Sequence, residues 1–174
     1  MNILEAVRDF RGLRGLSVSQ LNKLSSELRE MIIRVTLKNG GHLASSLGAV
    51  DLTVALLRAF DPDRDKIIFD VGHQSYAYKI LTGRLDRFET LRTKGGIAGF
   101  PRMDESPYDF FTTGHSSTSI SAAMGYAKAR DINGRDHEVV AVIGDGALLN
   151  GVSFEALNCV ESSETKLIIV LNDN

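Results

Sequence analysis

Val139-Val140-Ala141-Val142-Ile143-Gly144-Asp145-Gly146-Ala147 and, further along, Leu167-Ile168-Ile169-Val170-Leu171-Asn172-Asp173-Asn174 are two apolar runs, each leading straight into a polar corner. The runs predict strands over 139–143 and 167–171, apolar on both faces as in a sheet covered on both sides. The segment between them predicts a helix over 152–160. Strand, glycine turn, helix and strand in that order put both corners at one rim, where parallel sheets bind ligands beyond their strand ends. The glycines let backbone amides come close to an anion at a helix start. Asp145 cannot face a diphosphate without a cation between them. Mg²⁺ suits that place, because it takes few protein oxygens and completes its octahedron with phosphate and water oxygens. Asn174 offers an amide oxygen to the same ion. Alone, Gly144-Asp145-Gly146 also fits a plain turn with Asp145 capping a helix; the downstream asparagines favour the cation.

Working outward, Ser17-Val18-Ser19-Gln20 reads as a capping box opening a helix, with Leu21, Leu24, Leu28 and Ile32 at helical spacing and Gly40-Gly41 ending it. A second helix is expected over 50–60, with Leu52, Leu56 and Phe60 on one stripe. A strand over 66–71 leads into the Gly72-His73 turn, and a short helix follows to Thr82-Gly83. Residues 84–103 read as a long binding or lid loop. A strand over 110–113, a turn at Gly114-His115 and a helix over 117–130 precede the strand at 139. Four strands separated by helices indicate an α/β fold with a mostly parallel sheet flanked by helices, and 174 residues are read as one domain, 1–174.

Composition narrows the function classes. A formal net charge of −2 gives no electrostatic case for nucleic acid or an anionic membrane. No apolar run approaches the roughly 20 residues of a membrane helix. The single cysteine, Cys159, excludes an internal disulfide, and the N-terminus lacks signal-peptide features. The expected address is cytoplasmic.

Three of the four histidines, His42, His73 and His115, follow glycine. Neutral imidazole can shuttle protons or donate to a developing alkoxide; the plainer reading is a set of hydrogen-bonded turn histidines. Ser116-Ser117-Thr118-Ser119 offers helix capping or phosphate contacts. Cys159 is expected in the core. Arg84, Arg87, Arg92 and Lys94 are expected on a solvated face.

The glycine and asparagine corners resemble the thiamine diphosphate-binding motif. GHLASSLG at 41–48, DVGHQSY at 70–76, KILTGR at 79–84, KGGIAGFPR at 94–102, GHSSTSIS at 114–121 and FEALN at 154–158 together resemble the 1-deoxy-D-xylulose-5-phosphate synthase family, from about residue 17 to 174. Transketolases share the Gly-Asp-Gly motif but not these histidine segments. The resemblance implies a thiamine diphosphate-binding fold and the cofactors thiamine diphosphate and Mg²⁺. The implied substrates are pyruvate and glyceraldehyde 3-phosphate, joined with loss of CO2 in a step that feeds isoprenoid, thiamine and pyridoxal synthesis. It implies Asp145 and Asn174 as metal ligands. Gly146 and Ala147 would lie at the diphosphate, and His73, Gly114, His115 and Ser116 at the cofactor. His42, with His73, would serve where substrate protons move. It also implies a homodimer.

Leu148-Leu149-Asn150-Gly151-Val152-Ser153 departs from the smaller Thr/Gly/Met-containing stretch usual after Gly-Asp-Gly-Ala. Family members continue for several hundred residues beyond this motif, with further catalytic groups. The expectation is therefore a truncated fold, incomplete at its C-terminal end, inactive alone and dependent on the remainder of the enzyme. A subunit of a split transketolase-like enzyme and a non-catalytic remnant with a binding role are the alternatives.

Overall fold

The computed structural model describes residues 2–173, so Asn174 lies outside the described residues. The chain folds as two compact units, one formed by residues 1–61 with 73–100 and the other by 62–72 with 101–174.

The first unit is helical. It comprises α1 (Ile3–Val7), a 3-10 turn (Phe10–Gly15), α2 (Val18–Asn39), α3 (Leu43–Gly48), α4 (Val50–Ala59) and α5 (Tyr76–Lys79). Beyond α5 the helical path runs on through Ile80 and Leu81, breaks at Thr82 and Gly83, and is followed by a 3-10 segment (Leu85–Thr90). α2 begins where its sequence dictates. The Ser17 hydroxyl accepts from the Gln20 amide, and the Gln20 side chain accepts from the Ser17 amide at 2.9 Å. Its fully buried stripe is Leu24, Leu28, Ile32 and Val35, and it packs against α4. α4 buries Val50, Thr53, Val54, Leu56 and Leu57, while Leu52 and Phe60 sit at the margin. The stripe expected from Leu52, Leu56 and Phe60 is thus rotated toward the β-branched positions, because α2 meets that side. The expected loop over 84–103 is partly ordered as the 3-10 segment. Arg84 is buried, not solvated, and donates to the Lys79 carbonyl at 3.2 Å and the Thr82 hydroxyl at 2.7 Å.

The second unit is α/β. Three strands, β1 (Lys66–Phe69), β2 (Val139–Gly144) and β3 (Ile168–Asn172), form a wholly parallel sheet in the order β1-β2-β3. α6 (Ser119–Ile132) packs on β1 and β2, and α8 (Gly151–Glu161) packs on α6. Ile68, Val139, Ala141 and Ile143 meet Ile120, Ala123 and Ala127 of α6 and Ala156 of α8 in one apolar cluster. β2 is buried on both faces, as its unbroken apolar run requires. β3 is only half-buried, because among the described residues it is an edge paired to β2 alone. Arg130 ties the sheet's entry side, donating to the His137 carbonyl at 3.2 Å and the Lys166 carbonyl at 2.9 Å.

The strand expected over 110–113 does not form. Phe110 and Phe111 instead lie against the apolar cluster, the Tyr126 hydroxyl donates to the Phe110 carbonyl at 2.6 Å, and the Thr113 amide donates to Pro101 at 3.1 Å. Four residues of high strand propensity are spent on packing, since no ladder partner lies beside them.

Candidate functional site

The carboxyl ends of the strands in the second unit build one corner. β1 delivers Asp70, 1% exposed, whose two carboxylate oxygens accept the Ser117 amide at 2.7 Å and the Ser119 amide at 2.9 Å. That carboxylate caps α6. The serine hydroxyls expected to do so do not, and the cap residue Thr118 makes no side-chain capping bond. Backbone strain marks the same corner: Val71 has φ 56° and Ser117 φ 73°. Gly72 is obligatory, since a Cβ there would meet Pro101 Cδ and Thr113 Oγ1 at 2.3 Å.

The Ser117 hydroxyl continues the chain of contacts, donating to the Ala147 carbonyl at 2.8 Å. Ser153, in the first turn of α8, donates to the same carbonyl at 3.0 Å. The turn at 144–147 is thereby fastened from two sides. Gly144 pairs with Asn172 across β2 and β3, so Asp145 and Asp173 each follow directly on paired strand ends. Asp145 opens the short helix α7 (Asp145–Leu148) and is exposed, with no hydrogen bond or ion pair among the described residues. Gly146 is open as well, with nothing within 4 Å of where a Cβ would stand. Among the described residues no three His, Cys, Asp or Glu side chains cluster as a metal cage. A cation held at Asp145 would have to take most of its oxygens from amides, water or a ligand, a donor set that suits Mg²⁺ better than Zn²⁺. Leu148, one of the unusual residues here, packs into the apolar cluster; Leu149 is exposed.

The first unit holds a separate histidine cluster. His42 precedes α3, and its ring lies 5.9 Å from that of His73, edge-on, and 5.0 Å from Phe100. The His42 amide donates to the Tyr76 hydroxyl at 3.2 Å, and that hydroxyl is 3.4 Å from His42 Nδ1. Ser46 donates to the His73 carbonyl at 2.9 Å. Burial, followed by the nearby Arg92 and His73, holds the His42 imidazole below its ordinary range, so it is neutral near pH 7.

Within the second unit, then, Ala147 is bonded to the 114–118 turn, and Asp145 stands at the β2–β3 end. His115 and Ser116 are exposed on the 114–118 turn, where Gly114 has φ 143°. Within the first unit, His42 and His73 are neighbours. Asn174 lies outside the described residues. Cys159 is exposed on α8, contrary to expectation, because the helix turns its small residues Ser153 and Ala156 inward. Sequence reading missed Asp70 and Tyr76. Asp70 carried a signal, a carboxylate closing an apolar strand ahead of a Gly-His turn. Tyr76 carried none, being an aromatic in a helix start.

The 1-deoxy-D-xylulose-5-phosphate synthase family model matches residues 4–174. Curated synthases of that name are similar throughout. The Carboxydothermus hydrogenoformans protein is 60% identical over 99% of this chain, and the Clostridium kluyveri protein is 57% identical over the same share. The chain spans 28% of the length of each. Among solved structures, a transketolase from Leishmania mexicana superimposes with a TM-score of 0.77 at 25% identity, covering 88% of this chain and 27% of its own. A Pichia stipitis transketolase variant gives 0.72 at 23% identity, a likeness of fold. With residues 4–174 matched by the family model and more than half its residues shared with curated members, the chain belongs to the 1-deoxy-D-xylulose-5-phosphate synthase family.

Proposed function

We propose that residues 1–174 form a thiamine diphosphate-binding domain that grips the cofactor's diphosphate through Mg²⁺. The protein to which it belongs would condense pyruvate with glyceraldehyde 3-phosphate, with loss of CO2. The observation that carries this reading is the β2–β3 register, which sets an exposed, unengaged carboxylate, Asp145, beside the strand end that leads to Asn174.

Asp145 and Asn174 are the proposed metal ligands. Gly146 and Ala147 line the diphosphate, and Gly114, His115 and Ser116 supply cofactor contacts from the turn that Asp70 holds. When bound, thiamine diphosphate supplies the carbanion chemistry that decarboxylation and carbon–carbon bond formation require. What this chain contributes is positioning and protons. Asp145 would fix the cation, the fastened turn presents amides, and His42, held neutral, would hold or move protons with His73 beside it. A cytoplasmic homodimer completed by the rest of the polypeptide is the proposed working form.

The test is calorimetric titration of thiamine diphosphate into the protein with Mg²⁺ or with a chelator. Mg²⁺-dependent heat that disappears in Asp145→Ala is expected. In the full-length protein the same substitution should lower formation of 1-deoxy-D-xylulose 5-phosphate by about 100-fold or more, since even outer-shell changes at metal sites cost 10–100-fold. Binding indifferent to both the chelator and the substitution overturns the reading.

A further inference from the structure

We propose that Tyr76 fixes the tautomer of His42, keeping Nδ1 as an acceptor and Nε2 protonated, and so acts as a positioning residue for proton transfer at His42. The inference rests on the reading of His42 as a site residue, but it concerns the ground state of this chain and needs no cofactor.

The argument is one of hydrogen-bond accounting. Tyr76 is 0% exposed, so its hydroxyl cannot turn to bulk water. One lone pair of the hydroxyl oxygen is taken by the His42 amide at 3.2 Å. The hydroxyl proton then has one recorded acceptor among the described residues, His42 Nδ1 at 3.4 Å. A neutral imidazole carries its proton on one nitrogen only. Were that nitrogen Nδ1, the ring and the amide would both donate to the hydroxyl, and the hydroxyl proton would be buried without a partner. Leaving a buried donor unsatisfied costs about 1–3 kcal/mol. With Nδ1 unprotonated, amide, hydroxyl and ring are all satisfied, and the proton resides on Nε2.

The local sequence is shaped to this contact. Gly41 has φ 143°, and a Cβ at that position would stand 2.7 Å from the Tyr76 hydroxyl oxygen. Any side chain at 41 would push the hydroxyl off His42. Phe88 meets the Tyr76 ring edge-on at 6.1 Å. Burial and the positive charge of Arg92 keep His42 in the neutral form, for which a choice of tautomer exists. The consequence is that His42 offers an N–H at Nε2. It is poised as a hydrogen-bond and proton donor at that atom and must be turned over before it can accept there.

The test is nitrogen-15 spectroscopy of the histidine side chains at pH 7.5, with His42 assigned by the loss of its signals in His42→Gln. In the unmodified chain, Nδ1 is expected at the shift of an unprotonated nitrogen and Nε2 at that of an N–H nitrogen, one tautomer favoured about tenfold or more. A protonated Nδ1, or shifts averaged between the two forms, overturns the proposal. In Tyr76→Phe the preference should collapse and both shifts move toward the average; unchanged shifts in a folded variant overturn it as well. If that variant does not fold, the unmodified spectrum decides alone. Failure of thiamine diphosphate to bind would leave this result untouched, so the two readings fail separately.

Discussion

Asp70 shows how much one carboxylate can organise. It sits at the end of β1, is almost wholly buried, and accepts two backbone amides of the segment that starts α6. Charge-assisted bonds of this kind are stronger than neutral ones. Asp70→Asn keeps the shape but replaces one acceptor with a donor facing an amide. We expect a loss of about 1–3 kcal/mol of stability, read as a lowered midpoint in denaturant unfolding with an unchanged slope. The strained Ser117, at φ 73°, is held in place by this carboxylate. Asp145 and the Gly72-His73 pair stand out in the sequence because each closes an apolar strand, whereas Gly41-His42 follows α2 and Gly114-His115 follows a segment that forms no strand. Asp70 and Tyr76 do not stand out, because their importance lies in which distant amide each reaches, and one-dimensional spacing carries no such information.

At the scale of elements, α2 was readable from end to end. A capping box, a stripe at period 3.6 and a closing glycine all agree, and agreement between local signals marks an unfrustrated segment. Ser17→Ala removes the acceptor for the Gln20 amide and should cost about 1 kcal/mol, seen as a small fall in thermal midpoint with the helix content kept. The segment at 110–113 misled for a physical reason. Phe and Thr favour extended backbone, yet a strand exists only where a neighbour offers a ladder, and here α6 offered an apolar surface instead. The short helix after the Gly72-His73 turn does close at Thr82-Gly83, as the sequence suggests: both residues leave helical angles, Gly83 at φ 90°, and the chain passes there into the 3-10 segment. Buried Arg84 bonds are what stabilise that passage, and a basic residue in a glycine-rich stretch reads as solvated until its partners are seen.

For the molecule as a whole, the α/β class and the parallel sheet followed from the order of apolar runs, and the family from segments scattered over both compact units. What composition could not disclose is that among the described residues the sheet has three strands and the chain divides into two units. β3 is an open edge among the described residues, with Leu171 49% exposed, and the same unit exposes Leu149, Val152 and Phe154. Open apolar edges template association between chains. At high concentration this chain should self-associate, and Leu171→Lys should shift sedimentation profiles toward the monomer without loss of fold. Equal association in both proteins would remove β3 as the cause.

The Ala147 carbonyl, bonded by hydroxyls from both Ser117 and Ser153, carries a kinetic corollary. A loop that must be ordered on arrival adds an entropic cost to binding; two hydroxyls already hold this one. On the proposed function, a diphosphate reaching the glycine corner would meet little such cost, and its release would be set by the strength of its own bonds.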